Sequence, residues 1–307
     1  MTNSPKLNDN LHKKLLSKKE LLDLICCNQL ESGAFKSIVH LPHTRYEDSN
    51  AFITALVLRH ARILKLNEVL PKVFERAVHF LRKCESKRFP GMYRFWPENA
   101  HPFWIGSFKI CEDADDSSII SLELVEYGLE NQSYIKKLAK KVLEQHRFFK
   151  SGLLSNNWEN TGAFLTWLHY SENPNPVDCC VNTNIVALLA SCGLKDMPGY
   201  DEACCMVNNA VLNSDGKMQA ITKLSPYYPH AIELFFAVQY AVRIGGDLEP
   251  ALSYLYNQKW VQAYLNGGID ADQHICSHQN GSIVWTSEIL QAIRTYELIE
   301  EKKDTIC

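Results

Sequence analysis

The chain has 307 residues, 46% of them hydrophobic, with 32 basic against 35 acidic side chains for a net charge of -3. That balance excludes nucleic acid or an anionic membrane as a partner held by overall charge. No apolar run reaches the roughly 18 uncharged residues of a membrane span, and the opening MTNSPKLNDNLHKKLLSKKE lacks an apolar h-region, so neither a transmembrane segment nor a secretory signal is expected.

After an N-terminal extension, 1–17, apolar residues recur at i, i+3, i+4 and i+7 in a series of segments. The predicted helices are Lys18–Asn28, Ser49–Lys65, Glu68–Glu85, Asp116–Tyr127, Gln132–Phe148, Val181–Cys192, Tyr200–Leu212, His230–Ile244, Leu248–Gln258 and Ser287–Glu300. Strand-like alternation is short and scarce, so the predicted class is all-α, one domain over 18–302 with a tail at 303–307. Two connectors are long and aromatic: FPGMYRFWPENAHPFWIGSFKIC before Asp113, and FFKSGLLSNNWENTGAFLTWLHYSENPNPVD before Cys179. Loops beyond about 15 residues in a compact domain tend to be functional.

A recurrence runs through the connectors. Gly33-Ala34-Phe35 precedes Asp48 and Asn50, Gly91-Met92-Tyr93 precedes Asp113 and Asp116, and Gly162-Ala163-Phe164 precedes Asn182 and Asn184. Later variants place Gly216 and Tyr227-Tyr228 before His230, and Gly281 before Trp285 and Glu288. Each unit holds two helices, one after a long loop and one after a short turn, which is what a closed α/α toroid of about five to six helical hairpins requires. In such a ring the capped helix starts gather at one mouth. A helical solenoid or a bundle uses similar periodicity.

With these motifs the sequence resembles the terpenoid cyclase and protein prenyltransferase superfamily, and within it the squalene-cyclase-like repeat proteins. Gln29-x-x-x-Gly33-x-Phe35 is similar to their repeat, with Phe where Trp is usual, and Asp113-Ala114-Asp115-Asp116 reads D-x-D-D, the acid motif of class II terpene cyclases. Ser117-Ser118 stands where many members have Thr-Ala. The resemblance implies that Asp115 protonates an isoprenoid double bond, with Asp113 and Asp116 assisting. It also implies that aromatic side chains line the cavity: Tyr93, Trp96, Phe103, Trp104, Trp158, Phe164, Trp167, Tyr228 and Trp285.

Elementary chemistry agrees with that use. Crowded carboxylates cannot all ionise cheaply, so one or more is expected to hold a proton, and aromatic faces attract a carbocation by about 0.5–2 kcal/mol each. The plainer reading of DADDSS is a helix N-terminus, where Asp caps the backbone and complements the dipole; Glu112 is expected to be solvated. Family cyclases of this class place their cavity between two helical domains, whereas this chain has room for one, so a homodimer or partner domain is a candidate to complete it.

No resident cofactor is expected, with Mg²⁺ relevant only if the substrate is a diphosphate. Asp178-Cys179-Cys180 and Cys276-Ser277-His278 were weighed as zinc ligands because relatives of this architecture use Asp, Cys and His, but their spacing matches no metal motif. The 11 cysteines, an odd total with three vicinal pairs, point to reduced thiols in a cytoplasmic protein. His43, His101, His169 and His230 are candidates to hydrogen-bond the acids. Two other uses of such a ring stay open: a carbohydrate hydrolase or lyase built on Glu98, Asp113 and Asp116 with Trp96 and Trp104, and a non-catalytic pocket for a lipid or peptide.

Overall fold

The computed structural model describes residues 16–106, 110–149, 162–168, 175–278 and 281–306. The predicted extension lies outside the described residues except for Leu16 and Ser17, whereas residues 303–306 of the predicted tail continue the last helix. The structure is mostly helical with a small four-stranded sheet, so the all-α expectation is corrected. Among the described residues no helix is long and apolar enough to cross a membrane.

In chain order, α1 (Lys18–Asn28) leads to the strands β1 (Ser37–Leu41) and β2 (Thr44–Asp48), then α2 (Ala51–Ile63), a short α3 (Leu66–Val69) and α4 (Pro71–Arg82). The predicted helix Glu68–Glu85 is broken there because Pro71 has no N–H to continue a helix and instead opens the next one. Next come α5 (Ala114–Glu126), α6 (Gln132–Lys141), α7 (Cys179–Ser191), α8 (Tyr200–Leu212), α9 (Met218–Thr222) and α10 (Ala231–Arg243). The chain finishes with α11 (Glu249–Tyr256), α12 (Lys259–Gly267), β3 (Cys276–His278), β4 (Ile283–Thr286) and α13 (Glu288–Ile306).

Helices α2, α5, α7 and α10 are buried on nearly every face. They pack in series, α2 on α5, α5 on α7 and α7 on α10, while α13 packs on α2. Among the described residues three ion pairs join α13 to α10, Arg294–Glu233 at 2.9 Å, Arg243–Glu297 at 2.8 Å and Arg243–Glu301, so the circuit of neighbours returns to its start. Helices α1, α4, α8 and α11 lie against this circuit with one apolar face inward.

The recurrence seen in the connectors is a repeated piece of structure. A polar side chain grips a left-handed glycine: Gln29 Nε2 donates to Gly33 O at 3.1 Å, Glu85 accepts from Gly91 N at 2.8 Å, and Arg147 Nε donates to Gly162 O at 2.8 Å. The aromatic two residues on then gives its N–H to the fourth residue after the next helix's cap. Phe35 N bonds Thr54 Oγ1 (3.2 Å), Tyr93 N bonds Ser117 Oγ (2.9 Å) and Phe164 N bonds Asn182 Oδ1 (2.9 Å). The first helical N–H is taken by the following unit: Ala51 N by Phe95 O and Ala114 N by Thr166 O, both at 2.8 Å, and Cys179 N by Leu224 O at 3.0 Å.

Gly33 has φ +97°, and a Cβ there would stand 2.4 Å from the Arg76 carbonyl oxygen. Gly33→Ala is expected to cost about 2 kcal/mol or more, since both strain and a backbone clash oppose it; a urea midpoint equal to the parent's would contradict this.

The sheet runs β2-β1-β4-β3, antiparallel throughout. Pairing Val39 with Trp285, and Trp285 with Cys276, sets the two ends of the chain side by side and carries Trp285 to the start of α13.

Candidate active site

The helix starts are capped by Asn50 (from Ile53 N, 2.8 Å), Asp113 (from Asp116 N, 2.6 Å) and Asp178 (from Cys180 N, 2.7 Å, and Val181 N). His230 and Ser287 stand at the starts of α10 and α13. The third cap is Asp178, one turn earlier than the predicted Asn182 and Asn184, because α7 begins at Cys179. Residues from all these starts meet around one cavity of about 50 Å³: Phe52, the aspartate trio, Val181, Tyr228 and Trp285, together with Phe95, Trp167, Tyr227 and His278. That volume holds only a few waters, far below the ~300–1,000 Å³ of small-molecule sites.

All three aspartates are buried, at most 8% exposed. Asp115 Oδ1 accepts from Asn184 Nδ2 at 2.8 Å and Oδ2 is bonded by the Tyr228 hydroxyl. Behind Asn184, its Oδ1 accepts from Arg59 Nη1 at 3.3 Å, and Arg59 Nε reaches Glu123 at 3.1 Å. A hydrogen-bonded chain thus runs from the acid into the centre of the helices.

Burial raises the pKa of each member of the trio. For Asp115 the rise stops at about 6, because Tyr228, Asn184 and the Arg59 charge favour its carboxylate. Asp113 is driven well above the carboxylate range by burial and then by the Asp115 charge, and Asp116 by burial and then by Asp113 and Asp115. Among the described residues Asp116 Oδ2 has no hydrogen-bond partner. Asp113 and Asp116 are therefore the members that keep protons towards neutrality, and Asp115, at about 6, is the one that ionises first and whose conjugate base is best supported.

Asp178, buried beside the trio, is pushed up to about 7 by burial and by the Asp115 charge. A carboxyl raised from its ordinary value of about 4 stabilises the fold fully below that pH and loses the contribution as pH rises. The stability advantage of the parent over Asp178→Asn is accordingly expected to shrink between about pH 4 and about pH 7. Parallel urea-midpoint curves for the two proteins across that window would contradict it.

Of the predicted aromatic lining, Trp167, Tyr228 and Trp285 face the cavity. Trp167 is brought there by a backbone bridge to Asp113, and its Nε1 donates to the Tyr227 hydroxyl at 2.9 Å. Trp96 and Trp104 form a layer behind. Trp96 Nε1 and Trp285 Nε1 both donate to the buried Asp48, at 3.0 and 2.8 Å, and Trp104 meets Trp96 edge-on with centroids 5.6 Å apart. Tyr93 and Phe164 are buried as the aromatic of their repeat units and do not line the cavity; Phe103 is 82% exposed, edge-on to Tyr46. Trp158 and His169 lie outside the described residues.

Other expectations are also corrected. Glu112 is buried, not solvated, and accepts from Ser86 Oγ at 2.6 Å. Glu98 stands 3.7 Å from both Lys87 and Arg94 and does not line the cavity with Asp113 and Asp116. Neither His43, His101 nor His230 lines it, whereas His278 does, its ring tilted against that of Trp167 with centroids 5.6 Å apart. Phe52 was missed within an apolar run, although it sits two residues after Asn50 as Asp115 sits two after Asp113.

Cys180 and Cys276 are buried thiols with raised pKa. Among the described residues no group of three His, Cys, Asp or Glu is placed to hold a metal. Among the described residues no Lys or Arg lines the cavity, and burial favours the protonated form of its acids, so these residues do not fit a diphosphate with Mg²⁺.

No family model matches the chain, and no curated protein matches it. Among solved structures, the crystal structure of a protein from Actinoplanes is similar, at 11% identity with a TM-score of 0.43, over 91% of this chain and 96% of that one.

Proposed function

We propose that the chain is a single α/α toroid of the terpenoid-cyclase kind, acting as a class II terpene-cyclase-like enzyme on an apolar isoprenoid. The fold reading rests on the circuit of α2, α5, α7, α10 and α13 with a second helix layer against it. The functional reading rests on one juxtaposition: a buried aspartate trio, each with a raised pKa, opening onto aromatic faces with no Lys or Arg among the described lining residues.

In this mechanism Asp115 gives its proton to one alkene carbon, and the π electrons form the new C–H bond. The carboxylate left behind keeps the Asn184 and Tyr228 hydrogen bonds and faces Arg59. The cation at the other alkene carbon is attacked by the next double bond, closing a ring, and the final cation loses a proton. Phe52, Phe95 and Trp285 supply faces worth about 0.5–2 kcal/mol each to the cation. Because the cavity is about 50 Å³, substrate admission requires Trp167, Tyr227 and His278 to part.

The sugar-cleaving reading loses support, since Glu98 is paired elsewhere and the pocket of about 50 Å³ is lined mainly by aromatic and apolar surface. The deciding experiment incubates the protein in D₂O with polyprenes, prenyl alcohols and prenyl diphosphates and analyses products by mass spectrometry. Cyclic isomers carrying one non-exchangeable deuterium are expected. Acyclic substrates recovered unchanged across the panel would overturn the reading.

A further inference from the structure

A second concavity, lined by residues other than those of the aspartate cavity, lies between the 86–92 turn, α6 and the 3-10 turn Leu143–Gln145. Its volume is about 690 Å³, within the range of small-molecule sites. Phe89, Met92, Leu138, Val142 and Leu168 form an apolar floor, and Arg88, Lys137 and Lys141 stand around it. Lys137 and Lys141 are one helical turn apart, so they share a face of α6. Among the described residues no carboxylate lines this groove.

Three acids beside the 86–92 turn are engaged elsewhere. Glu85 accepts from Gly91 N at 2.8 Å and Tyr134 Oη at 2.7 Å, Glu130 pairs with Arg82 at 2.7 Å, and Glu112 accepts from Ser86. Among the described residues Arg88, Lys137 and Lys141 form no ion pair.

The wall is firmly built. Ser86 N donates to Met92 O at 2.8 Å, Met92 N to Phe89 O at 3.0 Å, and Phe89 N to Ser86 Oγ at 3.2 Å. Gly91, at φ +88°, brings this turn so close to α6 that a Cβ would lie 3.0 Å from Leu138 Cδ1.

An apolar floor attracts a chain, and three unneutralised cations around it attract a negative head. We infer that this groove binds a single-chain amphiphile with a phosphate or carboxylate head, the chain along Phe89, Met92 and Leu138 and the head among Arg88, Lys137 and Lys141. The inference does not rest on the reading of the aspartate cavity.

The test titrates the full chain with monomeric dodecyl phosphate, and separately with laurate, by calorimetry, while methionine-methyl NMR locates the ligand. Met92 lines the groove, and Met206, buried in α8, serves as an internal reference. Saturable binding is expected, with Met92 shifted and Met206 unmoved, tightening about fourfold per methylene from octyl to dodecyl. The double change Lys137→Glu/Lys141→Glu, at exposed positions that leave the fold intact, is expected to weaken it at least tenfold. Whichever head binds more tightly identifies the source of the anion.

Four results would overturn the proposal: an unmoved Met92, equal binding of dodecyltrimethylammonium, unchanged affinity in the double variant, or binding only to phosphatidylglycerol vesicles and not to the monomeric amphiphiles.

Discussion

Asp115→Asn should abolish detectable cyclisation of an isoprenoid, a loss of roughly 10²–10⁴-fold if the side chain is the general acid. The amide still meets Asn184 and Tyr228, so the folded state is expected to persist and the loss to fall on turnover. A donor must carry its proton, so activity of the parent should decline as pH rises through the Asp115 value of about 6. Arg59→Met supplies an independent reading: removing a neighbouring positive charge disfavours the carboxylate, and the alkaline limb should move to higher pH. Full turnover by Asp115→Asn on the same substrate would end the assignment. Glu98→Gln, outside the cavity, should leave turnover intact, whereas a glycosidase pair containing Glu98 would lose it.

The largest stability loss is expected from Glu123→Gln. Glu123 is fully buried in α5 and receives Arg59 Nε at 3.1 Å and Arg62 Nη2 at 3.2 Å. Neutralising it strands buried positive charge, at a cost of about 3–5 kcal/mol. The attraction itself is not the reason, since taking charges out of water costs energy that the pair only offsets. The double replacement Arg59→Met/Glu123→Leu should therefore recover most of the loss, and urea unfolding of the two singles and the double measures the coupling. If Glu123→Gln and the double variant are equally unstable, charge stranding is not the cause.

Periodicity made the buried helices legible because α2, α5, α7 and α10 carry long apolar runs behind a polar cap. It failed where tertiary pairing governs. The predicted helix Gln132–Phe148 stops at Lys141 because Arg147 instead bridges Phe164, fifteen residues or more along the chain. Strands of three to five residues gave no period to detect, and β1 finds β4 only after the whole chain has turned back.

At the site, the aspartates were legible because capping and acid crowding are local. The aromatics were not, because a ring in a long loop serves packing, a repeat unit or a cavity according to geometry that composition does not encode. Tyr93 and Phe164 answer to the glycine-and-cap pattern, and Trp96 to Asp48. The recurring offset from the cap was the signal that would have found Phe52.

The pairing of β1 with β4 joins early and late parts of the chain along one seam. Closing a segment of some 240 residues costs about 5 kcal/mol of chain entropy, whereas each repeat unit joins neighbours close in sequence. Folding therefore tends to leave the seam until last, and unfolding to begin there. Trp285 lies on that seam, walls the cavity and anchors to Asp48 across it. Opening at that seam is thus also the step that uncovers the cavity holding the aspartates.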